Sequence, residues 1–185
     1  YRHVPSKTRS ARFRSLIDAG ADLVLGHHPH VVQGVEHYGG GIIFHSLGNF
    51  SFGSKTRRHL DNGARLYSMM GRVHLRGAQI AEAELIPLYV NNSRPWTRGS
   101  VTLPARHASP QLLSGEFAQA ALDEFVAFSA ALPGASSTTL ERIGDRLFVD
   151  LDQGKRSEED RETRVQQQAA EWQAALEAGV WDCPT

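Results

Sequence analysis

The rhythm of apolar and polar positions changes several times along the chain, and each change predicts an element. Pro5-Ser6 opens the first. Phe13, Leu16 and Ile17 fall at i, i+3 and i+4, which places them on one face of a helix that Gly20 closes. Asp22-Leu23-Val24-Leu25 follows as a short continuous apolar run, the pattern of a strand buried on both faces. Val35-Glu36-His37-Tyr38 and Ile42-Ile43-Phe44-His45-Ser46-Leu47 flank Gly39-Gly40-Gly41, two extended runs around a glycine turn, and so predict a β-hairpin. A second hairpin is predicted through residues 72–75, turning at 76–79 and returning through 80–88. Apolar and polar residues roughly alternate there, so one face is expected to meet solvent.

Residues 91–110, rich in Pro, Ser, Arg and Gly, read as a long loop. After Ser114, helical spacing returns with Phe117, Ala121, Phe125, Phe128 and Leu132, which are assigned to the core. Residues 146–151 predict a late strand. Residues 158–178 predict a charged helix with Val165, Ala169, Trp172 and Leu176 on one face, stopped by Gly179 and expected to pack on the domain. A helix leading into a buried strand gives an α/β class.

A length of 185 residues suggests one domain. Twenty basic and twenty acidic side chains cancel, which removes the electrostatic argument for nucleic acid or an anionic membrane as the main partner. The single Cys183 excludes an intrachain disulfide. No apolar run approaches the ~20 residues that span a bilayer. The chain opens on Tyr1, so it is expected to be a fragment whose own first segment carried any signal or anchor.

The chemistry concentrates in Gly26-His27-His28-Pro29-His30, directly after the first strand. Ligands bind at the C-terminal edge of strands in open α/β sheets, and imidazole is the commonest metal-ligating side chain. His28 and His30, one residue apart, project to the same side of an extended or tightly turned segment, and Pro29 stiffens it. The other six histidines lack such spacing and read as structural or exposed, although His3 and His45 adjoin the same region. Phosphate-loop, His-Glu-x-x-His, paired-cysteine and nucleophile-elbow motifs are all absent. Ser46-Leu47-Gly48-Asn49-Phe50 reads as a glycine-assisted bend in which Asn49 tolerates left-handed dihedrals.

The run from Leu16 to Glu36, through Gly-His-His-Pro-His-Val-Val-Gln-Gly-Val-Glu, with Ile43-Phe44-His45-Ser46-Leu47-Gly48-Asn49-Phe50-Ser51-Phe52, resembles the CapA-like capsule-synthesis family. That family is linked to poly-γ-glutamate production and belongs to the calcineurin-like metallophosphoesterase superfamily. The resemblance implies a four-layer α/β/β/α sandwich, of which this chain is the C-terminal part with C-terminal helices. Residues 1–155 would be the end of that domain and 156–185 a helical tail. It also implies two divalent metal ions (Mn, Zn or Fe), with the histidines of a Gly-His-x-His motif falling on His28 and His30. Taking Gly26-His27 as the motif's start makes His27 a ligand instead. Otherwise His27 is the candidate proton donor, and Asn49 and Gln33 orient ligands or meet substrate. The family's Asn-His and His-Trp-Gly elements, which supply earlier ligands, are not present.

For the intact protein the implied chemistry is phosphoester hydrolysis on an envelope-polymer or other phosphoester substrate. The implied setting is the extracytoplasmic side of the cell envelope, in a membrane-bound polymer-synthesis complex held by an anchor not present in this chain. The competing expectation is a non-catalytic component that uses the same fold to hold a polymer or an assembly partner.

Overall fold

A computed structural model describes residues 1–51, 58–77, 79–90, 93–106, 109–133, 138–151, 166 and 170. The chain divides into two compact units, Tyr1–Leu151 and Asp152–Thr185. In the second, only Gln166 and Ala170 are described, both helical. The expected apolar face of Val165, Ala169, Trp172 and Leu176 lies outside the described residues.

The first unit begins with helix α1 (Lys7–Asp18). Ser6 caps it from an extended conformation, its hydroxyl accepting the Arg9 N–H at 3.2 Å. The helix buries Ser10 and Ile17 and half-buries Phe13, whereas Leu16 is 47% exposed. Phe13 and Ile17 thus lie on the predicted face, and only Leu16 falls outside it. Positions 10, 13 and 17 form the buried stripe, and Leu16 lies beside it.

Strands β1 (Leu23–Leu25), β2 (Val32–Tyr38) and β3 (Gly41–Leu47) form a sheet in the order β1-β3-β2. β1 runs parallel to β3, with Leu23 opposite Ile42, and β2 and β3 form the predicted antiparallel hairpin, with Tyr38 opposite Gly41. The expectation that β1 is buried on both faces fails at Leu25, which is 55% exposed. Among the described strands β1 ends the sheet. Leu23 packs against the inner core, but Leu25 reaches past it.

Then come α2 (Arg58–Asp61), β4 (Tyr67–Arg76), β5 (Gln79–Tyr89), β6 (Trp96–Arg98), β7 (Val101–Leu103), β8 (Gln111–Leu112), α3 (Gly115–Ala130), β9 (Leu140–Ile143) and β10 (Arg146–Val149). A second sheet runs β4-β5-β10-β9, with β8 pairing to the end of β5. The β4–β5 hairpin is longer than predicted. Its expected solvated face is also a misreading, because Glu82 and Glu84 are buried along with Ile86 and Leu88. Glu84 tolerates burial because Arg72 and Arg146 each lie 3.3 Å from its carboxylate. The predicted loop at 91–110 holds the β6–β7 ladder, where Thr97 and Thr102 hydroxyls meet at 2.9 Å.

The core lies between the two sheets and α3. It joins Val35 and Phe44 of the first sheet to Leu85, Tyr89 and Leu147 of the second and to Phe117, Ala121 and Phe125 of α3, the helical stripe the sequence predicted. On the other face of the first sheet, α1 contributes Ile17 to a smaller cluster with Val24 and Ile43. The result is a mixed α/β arrangement. Successive residues of β3 point into the two clusters alternately, as a strand's period of two requires. α3 approaches β2 so closely that a Cβ on Gly34 would sit 2.4 Å from Ser129 Cα. No described helix is long and apolar enough to cross a membrane.

Candidate functional site

The site forms where β1 and β3 end side by side. Gly26 leaves β1 with its N–H donating to Phe44 O at 2.8 Å. A Cβ there would meet His45 O at 2.2 Å, so the chain turns out of the sheet only because the residue is glycine. His27 follows with an exposed side chain, and its carbonyl accepts from the Arg9 guanidinium of α1.

His28 and His30 both have positive φ, 95° and 58°, with Pro29 between them. The pair therefore sits in a tight turn. Left-handed backbone at a non-glycine residue costs about 1–2 kcal/mol, and such strain gathers at ligand-holding segments because the surrounding structure must enforce it. The two rings lie 6.4 Å apart at 45°.

Asn49, buried after β3, fixes the orientation of His30. Its Oδ1 lies 2.9 Å from His30 Nδ1. An amide oxygen only accepts, so the His30 ring donates this bond through Nδ1. Gly48, at φ 84°, carries the bend predicted there, and Asn49 itself does not adopt a positive φ. Gln33 is buried, and its amide donates to Arg2 O at 2.7 Å, holding the first residues against β2.

Two further rings join the site. His59, on α2, lies 4.9 Å from the His30 ring, and Tyr1 stacks on His30 at 6.1 Å and 25°. The Tyr1 hydroxyl and His59 Nδ1 are 2.9 Å apart. Burial, then the charges of His30 and Arg58, lower the His59 pKa. Sequence spacing assigned His59 no special role, because its approach to His30 is purely tertiary.

His3 and His45 have structural surroundings. His3 faces Val32 O through Nδ1 at 2.8 Å and Gly63 O through Nε2 at 3.1 Å, and stacks on Phe128 at 4.3 Å. His45 is fully buried, with Nε2 3.1 Å from Glu36 Oε2, while Arg14 reaches Glu36 Oε1 from α1 at 2.5 Å. Burial raises the Glu36 pKa, but the hydrogen bonds and charges of His45 and Arg14 outweigh it and hold the carboxyl below its ordinary range. This buried network ties α1 to β2 and β3 directly beneath the loop that carries His27.

No group of three or more His, Cys, Asp or Glu side chains among the described residues is arranged to hold a metal ion. The donor set that is present, two imidazoles with one ring held by an amide acceptor, fits part of a site.

Residues 1–54 match the family model described as bacterial capsule synthesis protein PGA_cap. Over 95 residues, 51% of this chain, the sequence is 39% identical to the capsule biosynthesis protein CapA of Bacillus anthracis, covering 22% of that protein. Over a stretch of the same length it is 35% identical to the PGA biosynthesis protein CapA of Bacillus subtilis (strain 168), covering 23% of it. It is also 50% identical over 48 residues, 26% of this chain, to the uncharacterized protein y4sH of Sinorhizobium fredii, covering 10% of that protein. The chain thus spans less than a quarter of the length of these relatives. The first half of the chain, which carries the histidine loop and the Asn49 turn, is thus similar to the CapA-like capsule synthesis proteins.

Proposed function

We propose that this chain supplies one wall of a metal-dependent phosphoester hydrolase that serves the synthesis of a capsule or other envelope polymer, poly-γ-glutamate being the polymer that the PGA in the name of the Bacillus subtilis relative suggests. One observation carries the reading. His30 donates through Nδ1 to Asn49 Oδ1, the kind of hydrogen bond by which metal-binding histidines are oriented. The strained backbone at His28 and His30 supports it, since the fold maintains both residues in costly conformations.

In this reading His28 and His30 hold one side of a site for two divalent ions (Mn, Zn or Fe), completed by residues outside these 185. When bound, such ions polarise a phosphoryl oxygen and lower the pKa of a bound water. His27, exposed beside them, delivers a proton to the leaving oxygen, and Arg9 fixes the backbone at His27 by binding its carbonyl. Asn49 orients the His30 ring. Gln33 acts indirectly, by fixing the segment that carries Tyr1. The helix-on-sheet-on-sheet order of α1 and the two sheets supports a four-layer α/β/β/α sandwich, and the family's association with capsules supports work at the cell envelope within a polymer-synthesis complex.

The test is hydrolysis of bis-p-nitrophenyl phosphate by the protein expressed from its complete gene, alongside His28→Ala and His30→Ala variants. Metal-dependent turnover that both variants abolish supports the reading. A parent that binds two metal equivalents yet hydrolyses nothing overturns it in favour of a component that holds the polymer without cutting it.

A further inference from the structure

We propose that Arg9 and Arg12 form a clamp for an oxyanion of the substrate beside His27. The inference rests on reading the histidine loop as the place where substrate is held. Arg9 is half-buried, and two contacts position its guanidinium: Nη2 donates to His27 O, and the Phe13 ring lies 5.2 Å from Cζ. Phe13 in turn lies 5.6 Å from the buried His45 ring. A guanidinium carries five N–H donors, and the His27 carbonyl takes one of them. Among the described residues no carboxylate pairs with Arg9, so most of its fork is left for a ligand at the residue directly before His28.

Arg12 extends the same feature. At 3.6 residues per turn it lies about 60° around α1 from Arg9, on the flank away from Arg14. Arg14 meets Glu36 at 2.5 Å, whereas Arg12 is exposed and has no carboxylate partner among the described residues. The fold thus neutralises one arginine of this helix and leaves two others that repel each other at i and i+3. Their placement does not serve the helix either. Acidic side chains stabilise a helix's first turn and cations its last, yet α1 has no acid in its first turn and no cation in its last. Charge arranged against local preference marks a functional demand. Two adjacent guanidiniums meet such a demand as a planar, multidentate receptor for phosphate or carboxylate oxygens.

The test is binding, which needs neither metal nor turnover. Inorganic phosphate and a short γ-linked glutamate oligomer present the two sources of such oxygens. Each is titrated by calorimetry into the metal-free protein expressed from its complete gene, at physiological ionic strength so that exposed charges elsewhere are screened. The parent should bind at least one probe. Arg9→Gln and Arg12→Gln should each weaken that binding about tenfold, the low end for a hydrogen bond to a charged group. Arg76→Gln, which removes an exposed charge at the end of β4, should leave it unchanged. Because Arg12 is exposed, its replacement tests the clamp without disturbing the His27 loop. A loss confined to phosphate identifies the phosphoryl group as the ligand, and one confined to the oligomer identifies the polymer's carboxylates; both uphold the clamp. Failure of the parent to bind either probe, equal affinity in the parent and Arg12→Gln, or an equal loss in Arg76→Gln overturns it. Binding that follows Arg9 and Arg12 in a protein that hydrolyses no phosphoester upholds the clamp and overturns the hydrolase reading. Turnover with KM and probe binding unchanged in both variants does the reverse.

Discussion

Replacing Glu36 by Gln tests whether the buried Arg14–Glu36–His45 network holds α1 to the sheet beneath the histidine loop. Gln preserves shape but removes the charge that Arg14 Nη2 meets at 2.5 Å and His45 Nε2 at 3.1 Å. Glu36 and His45 are fully buried, so neither gains water in exchange. Breaking a buried pair typically costs 3–5 kcal/mol. Arg14 keeps 22% side-chain exposure and can turn partly to solvent, which puts the expected loss at the low end, about 3 kcal/mol. For a chain of this size that corresponds to a fall of roughly 6–12 °C in Tm.

The pH dependence carries its own sign. The folded Glu36 pKa is depressed, so its contribution is present above the unfolded value, near ~4.3, and is lost as pH falls through the lower folded value. The gap between the parent and Glu36→Gln should therefore be full at pH 7 and narrow steadily on acidification below about pH 4. Thermal unfolding followed by circular dichroism across that range measures both effects. A Tm loss under about 2 °C, with the same acid profile in both proteins, would refute the structural role assigned to the network.

Gly34→Ala places a Cβ 2.4 Å from Ser129 Cα, where backbone cannot yield as a flexible side chain would, so α3 must shift. Overpacking of this kind costs about 1–3 kcal/mol, read as a lower urea midpoint. Burial and the Glu124 carboxylate, 2.5 Å away, together push the Tyr67 phenol far above its usual range. Spectrophotometric titration should leave Tyr67 protonated at pH 11 in the parent, and Glu124→Gln should bring its titration down in pH while burial still keeps it raised. Equal titration curves in the two proteins would remove Glu124 as a cause.

Local signals in the chain were legible where one residue decides a local geometry. Ser6 marks the start of α1, Gly39-Gly40-Gly41 marks the β2–β3 turn, and the Phe117, Ala121, Phe125 spacing marks the face of α3 that the core receives. Contextual burial was less legible. Leu16 and Leu25 read as core by type, but neighbouring layers do not cover them, and Glu84 read as solvated because its partners Arg72 and Arg146 come from β4 and β10. The three-residue strands β6 and β7 are too short to show a period.

The same division runs through the site. The Gly26-His27-His28-Pro29-His30 loop and the Gly48-Asn49 turn stand out in sequence, and the fold joins them through the His30–Asn49 hydrogen bond. His59 and Tyr1 were invisible, because only the placement of α2 and of the first residues brings their rings to His30. Gln33 lies near the loop in sequence, but its partner, the Arg2 carbonyl, lies 31 residues earlier.

The most direct test of the account is a Mn²⁺ and Zn²⁺ binding isotherm on the protein expressed from its complete gene, compared with His28→Ala, His30→Ala and Asn49→Ala. If the histidine turn is a metal wall oriented by Asn49, the two histidine variants lose binding at one site and Asn49→Ala weakens it by about 10–100-fold. Metal affinity and stoichiometry unchanged in both histidine variants would contradict the account.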